Sequence, residues 1–428
     1  MNVGKVNSEM RRSTRSLRLK ESVVAAFWEP APSIRARFSE FTVSDWIKAL
    51  FWLDVSGLAL YFLDRLTQLG IEDCLPEPIL VRLRNNLADN RKRTVWLFDE
   101  AVTIAGALQQ CNVSFAFLKG FTLPSESAPD NALRCQMDLD LLIRESDANV
   151  VKKCLGELGY VLDAVSDMTW EFKEGLSGLS TIDDIYMVRQ ERALDLHLLP
   201  DTGHGTTFPI PDRLSRAQTR TINGVDLPVL SRADIFVQQA LHLFKHLCSE
   251  HTRAFWVLEF WRHASARQND TDFWREVELI AATEPKADMA IGVATMLATL
   301  MFGKFVSEHV CHWSMERLSP AICLWLQLYG HRVLLSDSPR SKLYLLLQPQ
   351  LLPDARLHQE VRRRLIFPIH WPQRVTRSEA GEPTISRLLR HWAQARFALS
   401  RLRFHTIEGL RFAVESMRWQ RRLAGVAQ

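Results

Sequence analysis

The sequence predicts an α+β protein in which a small mixed sheet with helices is embedded between helical N-terminal and C-terminal regions. Three observations predict it. Apolar residues recur at helical spacing from about residue 41 to 110 and again from Ser231 onward. Between them the pattern shortens to aromatic and aliphatic runs of strand length. Turn residues punctuate those runs, as in "INGVDLPVL".

Residues 1–40 are polar and then broken by proline in "WEPAPS", which predicts an irregular or disordered start. The stretch "TVSDWIKALFWLDVSGLALYFLDRLTQLG" follows, with Ser44 as the expected N-cap and Gly70 as the stop. Residues 77–110 read as one or two further helices, completing a helical region over 41–110. The segment 111–230 is the α/β core. Its strands are expected at "VSFAFLKG" (113–120), "DLDLLI" (138–143) and within "IYMVRQERALDLHLL" (185–199), with a hairpin after them. A helix capped at Ser146 or Asp147 runs to Gly159. Helical periodicity resumes over 231–352, and an Arg-rich helical region occupies 353–428.

Composition narrows the function. The net charge of +4 over 428 residues excludes a globally basic nucleic-acid coat. Residues 354–428, however, carry fifteen arginines, no lysine and six acidic residues. Such an end suits phosphate, nucleic acid or an anionic surface, or else an amphipathic helix laid on its own domain. Seven cysteines without a CxxC pair point to reduced thiols and a cytoplasmic protein. Residues 1–20 lack the apolar stretch of a secretory signal. The 15-residue apolar run Met289–Gly303 is too short to span a bilayer and reads as a buried helix.

The chemistry concentrates in residues 115–143. On a strand, residues two apart share a face, so Asp138 and Asp140 project together while Leu139 and Leu141 project to the other side. Two carboxylates this close repel one another. A divalent cation with a preference for oxygen, Mg²⁺ or Mn²⁺, would turn that repulsion into binding. Asp195 in "ALDLHLL" is the expected third ligand, and His197 falls on its face. Lys119 and Gly120 end the preceding strand, where a glycine lets backbone N–H groups approach phosphate and a lysine adds charge. Arg134 precedes Asp138 by four residues and is placed to brace a phosphate or the carboxylates.

Other candidates are weaker. His242 and His246 lie one helical turn apart, but Leu243 stands where a zinc metalloprotease motif needs glutamate. The pair reads as packing or substrate-facing. No Walker A or GxGxxG motif occurs. The aromatic run "FWVLEFW" (255–261) reads as core, with Trp256 and Trp261 as possible contacts to a base or acceptor.

The runs "FLKGFTL", "ALRCQMDLDLLI", "CLGELGY" and "ALDLHLL" together resemble the uncharacterised bacterial nucleotidyltransferase family of the polymerase-beta-like superfamily. The resemblance covers about residues 95–265 and falls on Leu118-Lys119-Gly120, Arg134, Asp138, Asp140, Leu158-Gly159-Tyr160, Asp195 and His197. The helix "LHLFKHL" also resembles the family's His-containing helix. It implies a nucleotidyltransferase-type sheet and an enzyme that passes a nucleoside monophosphate from an NTP such as ATP to an acceptor hydroxyl. It implies that Asp138, Asp140 and Asp195 hold Mg²⁺ or Mn²⁺, and that Lys119, Gly120, Arg134 and His197 hold the nucleotide. The wider superfamily has Gly-Ser where this chain has Lys-Gly, and a small residue where it has Met137. A chain that keeps the fold as an adaptor without turnover is therefore the alternative, beside nucleic-acid or anionic-surface binding through the Arg-rich end.

Overall fold

The computed structural model describes residues 3–166, 168–174, 185–186, 191–200, 212–336, 341–351, 366 and 384–425, with side chains from residue 14 onward. Helices α1 (Val3–Ala25) and α2 (Ala31–Phe38) occupy the start. This corrects the expectation of an irregular first forty residues. The reason lies in Leu19, Val23, Val24, Ile34 and Phe38, which are buried at helical spacing between the polar positions.

Helices α3 (Val43–Ser56) and α4 (Ala59–Leu69) follow. The N-cap of α3 is Thr42 rather than Ser44, because the Asp45 carboxylate reaches back to accept from the Thr42 N–H at 2.9 Å. The two helices meet at 112°. Gly57 makes that corner with a φ of 73°, and a Cβ there would run into the Phe255 ring. Helix α5 (Glu77–Gln110) is a single 34-residue helix. It is long because its two halves serve two different cores.

The sheet has seven strands: β1 (Phe115–Leu118), β2 (Leu139–Arg144), β3 (Val161–Ser166), β4 (Thr169–Lys173), β5 (Ala193–Leu199), β6 (Gln218–Ile222) and β7 (Val225–Val229). Their order is β3-β4-β5-β2-β1-β7-β6. β2 runs antiparallel to β1 and parallel to β5, and β1 runs parallel to β7, so the sheet is mixed. β3 and β4 are additions to the strands expected. Their sequence, "VLDAVS" and "TWEFK", alternates weakly because β3 is largely exposed at the sheet edge. The β6–β7 turn is Asn223-Gly224, both at positive φ, as a two-residue hairpin needs.

One face of the sheet is covered by α6 (Ala148–Glu157) and the second half of α5. Phe117, Leu139, Leu141, Ile143, Leu194 and Leu196 form its core with Ile104, Leu108 and Val151. The other face carries Ala116, Leu118 and Leu142. The remaining helices share one large core in which Trp46, Phe62 and Leu83 join residues of α7 (Arg232–Leu247), α8 (Ala254–Ala266), α9 (Thr271–Thr283) and α10 (Ala287–Phe302). Helix α10 holds the apolar run read as a buried helix. The N-terminal and C-terminal helical regions thus build a common body beside the sheet. Among the described residues no single helix is long and apolar enough to cross a membrane.

Cys111, after α5, and Cys154, on α6, face one another with their Cα atoms 7.7 Å apart, wider than the usual span of a disulfide. The two helices cross the same sheet face and bring distant cysteines together, a proximity no local spacing announces. Cys74, Cys135, Cys248, Cys311 and Cys323 are free.

The corner at Gly57 yields a prediction. Gly57→Ala should lower the unfolding free energy by roughly 2 kcal/mol or more, from left-handed backbone strain and overpacking against Phe255. Chemical denaturation measures it. An unchanged midpoint would show that the corner relaxes freely.

Candidate active site on the open sheet face

The site is built where β1, β2 and β5 lie side by side. The register sets Leu118 opposite Asp140 and Asp140 opposite Asp195. Because side chains alternate, Leu139, Leu141, Leu194 and Leu196 enter the helix-covered core. Asp140, Asp195 and His197 therefore project from the opposite face. Donor atoms of Asp140, Asp195 and His197 all lie within 4.8 Å of one another. Asp138 stands at the bend before β2, one residue short of the strand expected to contain it, and is not among these three.

Asp140 is the centre. It is 4% exposed, and its Oδ1 accepts from Lys119 Nζ at 2.7 Å and lies 2.9 Å from His197 Nε2. Burial works to raise its pKa. The charge of Lys119 and the contact with His197 outweigh burial and hold the carboxyl well below the usual range. Burial likewise opposes the charge on Lys119, and Asp140 more than compensates, so its pKa is raised. Among the described residues Asp195 has no such ion pair, and His197 only partly offsets what acts on it. Burial and repulsion from Asp138 and Asp140 push its carboxyl up to about 6. Burial and Asp140 raise Asp138 as well, against the charges of Lys119, Arg134 and Arg253.

Lys119 reaches Asp140 from a costly backbone position. Its φ of 53° and ψ of −161° lie in a region that is essentially glycine's. Gly120 follows at a φ of 53°, and a Cβ on it would run into the Gln136 side-chain amide. That amide accepts from the Phe121 N–H at 3.1 Å and donates to the Asp138 carbonyl at 2.7 Å. Gln136 thereby ties the Lys-Gly turn to the strand bearing the aspartates. Thr122 closes the turn by donating its hydroxyl to the Lys119 carbonyl at 2.6 Å.

The expected phosphate ligands are placed differently from one another. Lys119 and Gly120 are at the site. Arg134 faces it but is already engaged, since its Nε donates to Glu259 Oε1 at 3.1 Å and its guanidinium covers the Phe255 ring at 5.3 Å. Tyr61 donates to the same Glu259 oxygen at 2.7 Å. His197, expected at the nucleotide, instead touches Asp140 and joins the cluster that offers donor atoms for a metal.

Residues not foreseen complete the surroundings. Arg93 is 1% exposed, donates to the Ile185 carbonyl at 2.7 Å, and has a buried Nε with no partner among the described residues. Arg253 donates to His251 Nε2 at 3.1 Å and lies 6.0 Å over Trp256. The charges of both arginines act on, or are acted on by, Asp138. On α7, the rings of His242 and His246 lie 4.7 and 4.3 Å from that of Trp256. Burial first and Lys119 next hold His242 well below its ordinary pKa, and burial pushes His246 down to about 4. Both rings are neutral at pH 7. The one available signal for Glu259 was a lone acid inside "FWVLEFW". Nothing in the spacing connects Arg93 or Arg253 to Asp138.

Residues 42–303 match the family described as an uncharacterised nucleotidyltransferase, which is more than half of the chain. Among curated proteins none matches. Among solved structures, an antigenic nucleotidyltransferase-like protein from Paracoccidioides brasiliensis is 14% identical, covering 52% of this chain and 96% of its own at a TM-score of 0.27. A likeness that slight carries neither fold nor function across.

The raised carboxyl of Asp195 has a consequence for stability. A carboxyl whose pKa is raised in the folded state contributes stability below its unfolded value, near 4, and that stability is lost as pH rises through about 6. In metal-free protein, Asp195→Asn should therefore raise the melting temperature at pH 8, and the gain should vanish near pH 4. Melting curves at the two pH values measure it. A variant less stable than the parent at pH 8 would contradict the electrostatics described.

Proposed function

We propose a reaction on one premise: the chain belongs to the uncharacterised nucleotidyltransferase family. The reaction is transfer of a nucleoside monophosphate from an NTP to an acceptor hydroxyl. The observation that carries it is the level placement of Asp140 and Asp195 on adjacent parallel strands, with Asp138 just ahead of them.

The donor set suits a hard divalent cation. Asp140 and Asp195 supply oxygens and His197 a nitrogen, a set that Mn²⁺ accepts readily and Mg²⁺ accepts through its carboxylates. Asp138 would join through the same face. A bound Mg²⁺ or Mn²⁺ supplies positive charge against the triphosphate and acidifies the acceptor hydroxyl.

The protein's own groups do the rest. Lys119 sits where it can exchange Asp140 for a phosphate oxygen, and Gly120 keeps the turn low enough for close approach. Arg134 and Arg253 raise the positive potential that draws a polyphosphate to this face. Asp195, level with Asp140 on the neighbouring strand, is placed to take up the acceptor's proton. The acceptor oxygen forms a bond to the α-phosphorus, the bond to the pyrophosphate oxygen breaks, and the proton passes to Asp195. The half-buried His246, backed by Trp256, offers a ring surface for a base or acceptor.

A second reading rests on Lys119. Its ammonium and His197 already satisfy Asp140 Oδ1, which is how an adaptor could keep the fold without a cation. One assay separates the readings. Full-length protein with Mg²⁺ and labelled NTPs should release pyrophosphate on transfer to an acceptor. Asp195→Asn should slow this by about 10²–10⁴-fold, and Asp140→Asn should abolish it. Lys119→Gly should also lose activity while remaining folded, because glycine suits that backbone better than lysine. Full activity in Asp140→Asn would eliminate the enzymatic reading. No NTP binding by the parent protein would favour the adaptor.

A further inference from the structure

The last helix, α15 (Thr384–Ala424), follows α11 (Glu308–Met315), α12 (Pro320–Trp325), α13 (His331–Leu334) and α14 (Tyr344–Leu351). It lies on the helical body and is apolar on its outer face as well. The face against the body carries Glu408 and Glu415, both buried. Glu415 meets Arg332 at 3.0 Å, Arg418 at 3.1 Å and the Tyr329 hydroxyl at 3.2 Å, while Glu408 meets Arg411 at 2.7 Å. Phe412 and Trp419 are the buried apolar anchors. The opposite face bears Leu388, Trp392, Leu399, Leu402, Leu410 and Met417, exposed at 71, 67, 64, 64, 66 and 57%. At 3.6 residues per turn these six fall within about 80° of the helix circumference and run about 44 Å along it. The helix is laid on its own domain through Phe412 and Trp419, as expected, and it carries a second apolar stripe facing outward.

Charge identifies what fits. Residues 384–425 contain nine arginines and two acidic residues, and the two acids are the buried Glu408 and Glu415. The exposed Arg387, Arg396, Arg403 and Arg421 border the apolar stripe. We propose that this stripe seats the protein flat on an anionic lipid surface, with leucines among the acyl chains and flanking arginines at the headgroup phosphates. A helix of low mean hydropathy with Leu and Trp on one side and arginine beside it is built for that plane. Long arginine stems keep their charge at the surface while their methylenes line the apolar zone. Nucleic acid would be held by charge and stacking, and five of the six stripe residues named are aliphatic or thioether side chains that offer no stacking surface. A second copy would set arginine borders against arginine borders with no acid to pair them. The proposal goes beyond nucleotide transfer and stands without it.

Flotation of the full-length protein with vesicles tests it. The protein should float with phosphatidylcholine vesicles containing phosphatidylglycerol and stay behind with phosphatidylcholine alone. Changing Arg387, Arg396 and Arg403 together to Gln should weaken binding on the order of a hundredfold. Leu399→Gln with Leu402→Gln, which keep helix propensity, should weaken it by about tenfold or more. Both variants should keep the parent's unfolding midpoint, since the altered residues touch solvent. Absence of flotation by the parent overturns the proposal. So does a lowered midpoint in the Leu399/Leu402 variant, which would mean that the chain or a second copy already covers the stripe. Binding to a DNA oligonucleotide that the leucine changes leave intact, with no preference for vesicles, would overturn it in favour of nucleic acid.

Discussion

Like charges gathered on one sheet face are the constraint from which the site follows. Asp140 and Asp195 are set level by strand order and register, Asp138 stands at the bend just before them, and one carboxylate, Asp140, is almost without solvent. Such a group persists only with compensation. The fold provides it unequally. Lys119 and His197 both attend Asp140, whereas Asp195 remains raised to about 6. That imbalance leaves two carboxylates of different proton affinity on the same surface.

The body of helices supports this face at one point in particular. Glu259 on α8 receives Arg134 from the segment leading into β2 and Tyr61 from α4. Breaking a buried pair of this kind leaves an uncompensated charge, at a cost of about 3–5 kcal/mol. Phe255, on the same helix, lies under the Arg134 guanidinium and against the Gly57 corner. The distant N-terminal helices are in this way connected to the position of the arginine beside the aspartates.

Much of this was legible in the sequence because it is local. Period two turns Asp140 away from the face that buries Leu139, Leu141 and Ile143, although Asp138 falls at the bend before β2, and the α+β plan follows from where helical spacing stops and resumes. The Lys119-Gly120 turn is likewise visible as punctuation after an aromatic strand. What depends on tertiary approach was not legible. Arg93 sits in the middle of a long polar-looking helix, and only its crossing behind residues 135–137 makes it part of the site. His197 was assigned to the nucleotide, but the parallel pairing of β2 with β5 brings it to Asp140. The start of the chain looked irregular because its first residues are polar, while the buried stripe that makes α1 a helix begins only at Leu19. The outward stripe of α15 could not be read from composition, since an amphipathic pattern does not say which apolar residues face home.

The central claim is that the carboxylates on this face form one cation site. Calorimetric titration of the full-length protein with Mn²⁺ at pH 6 tests it most directly. Binding should be accompanied by release of a proton from Asp195, and Asp140→Asn should abolish both. Binding with no proton release, or binding of equal strength in Asp140→Asn, would contradict it.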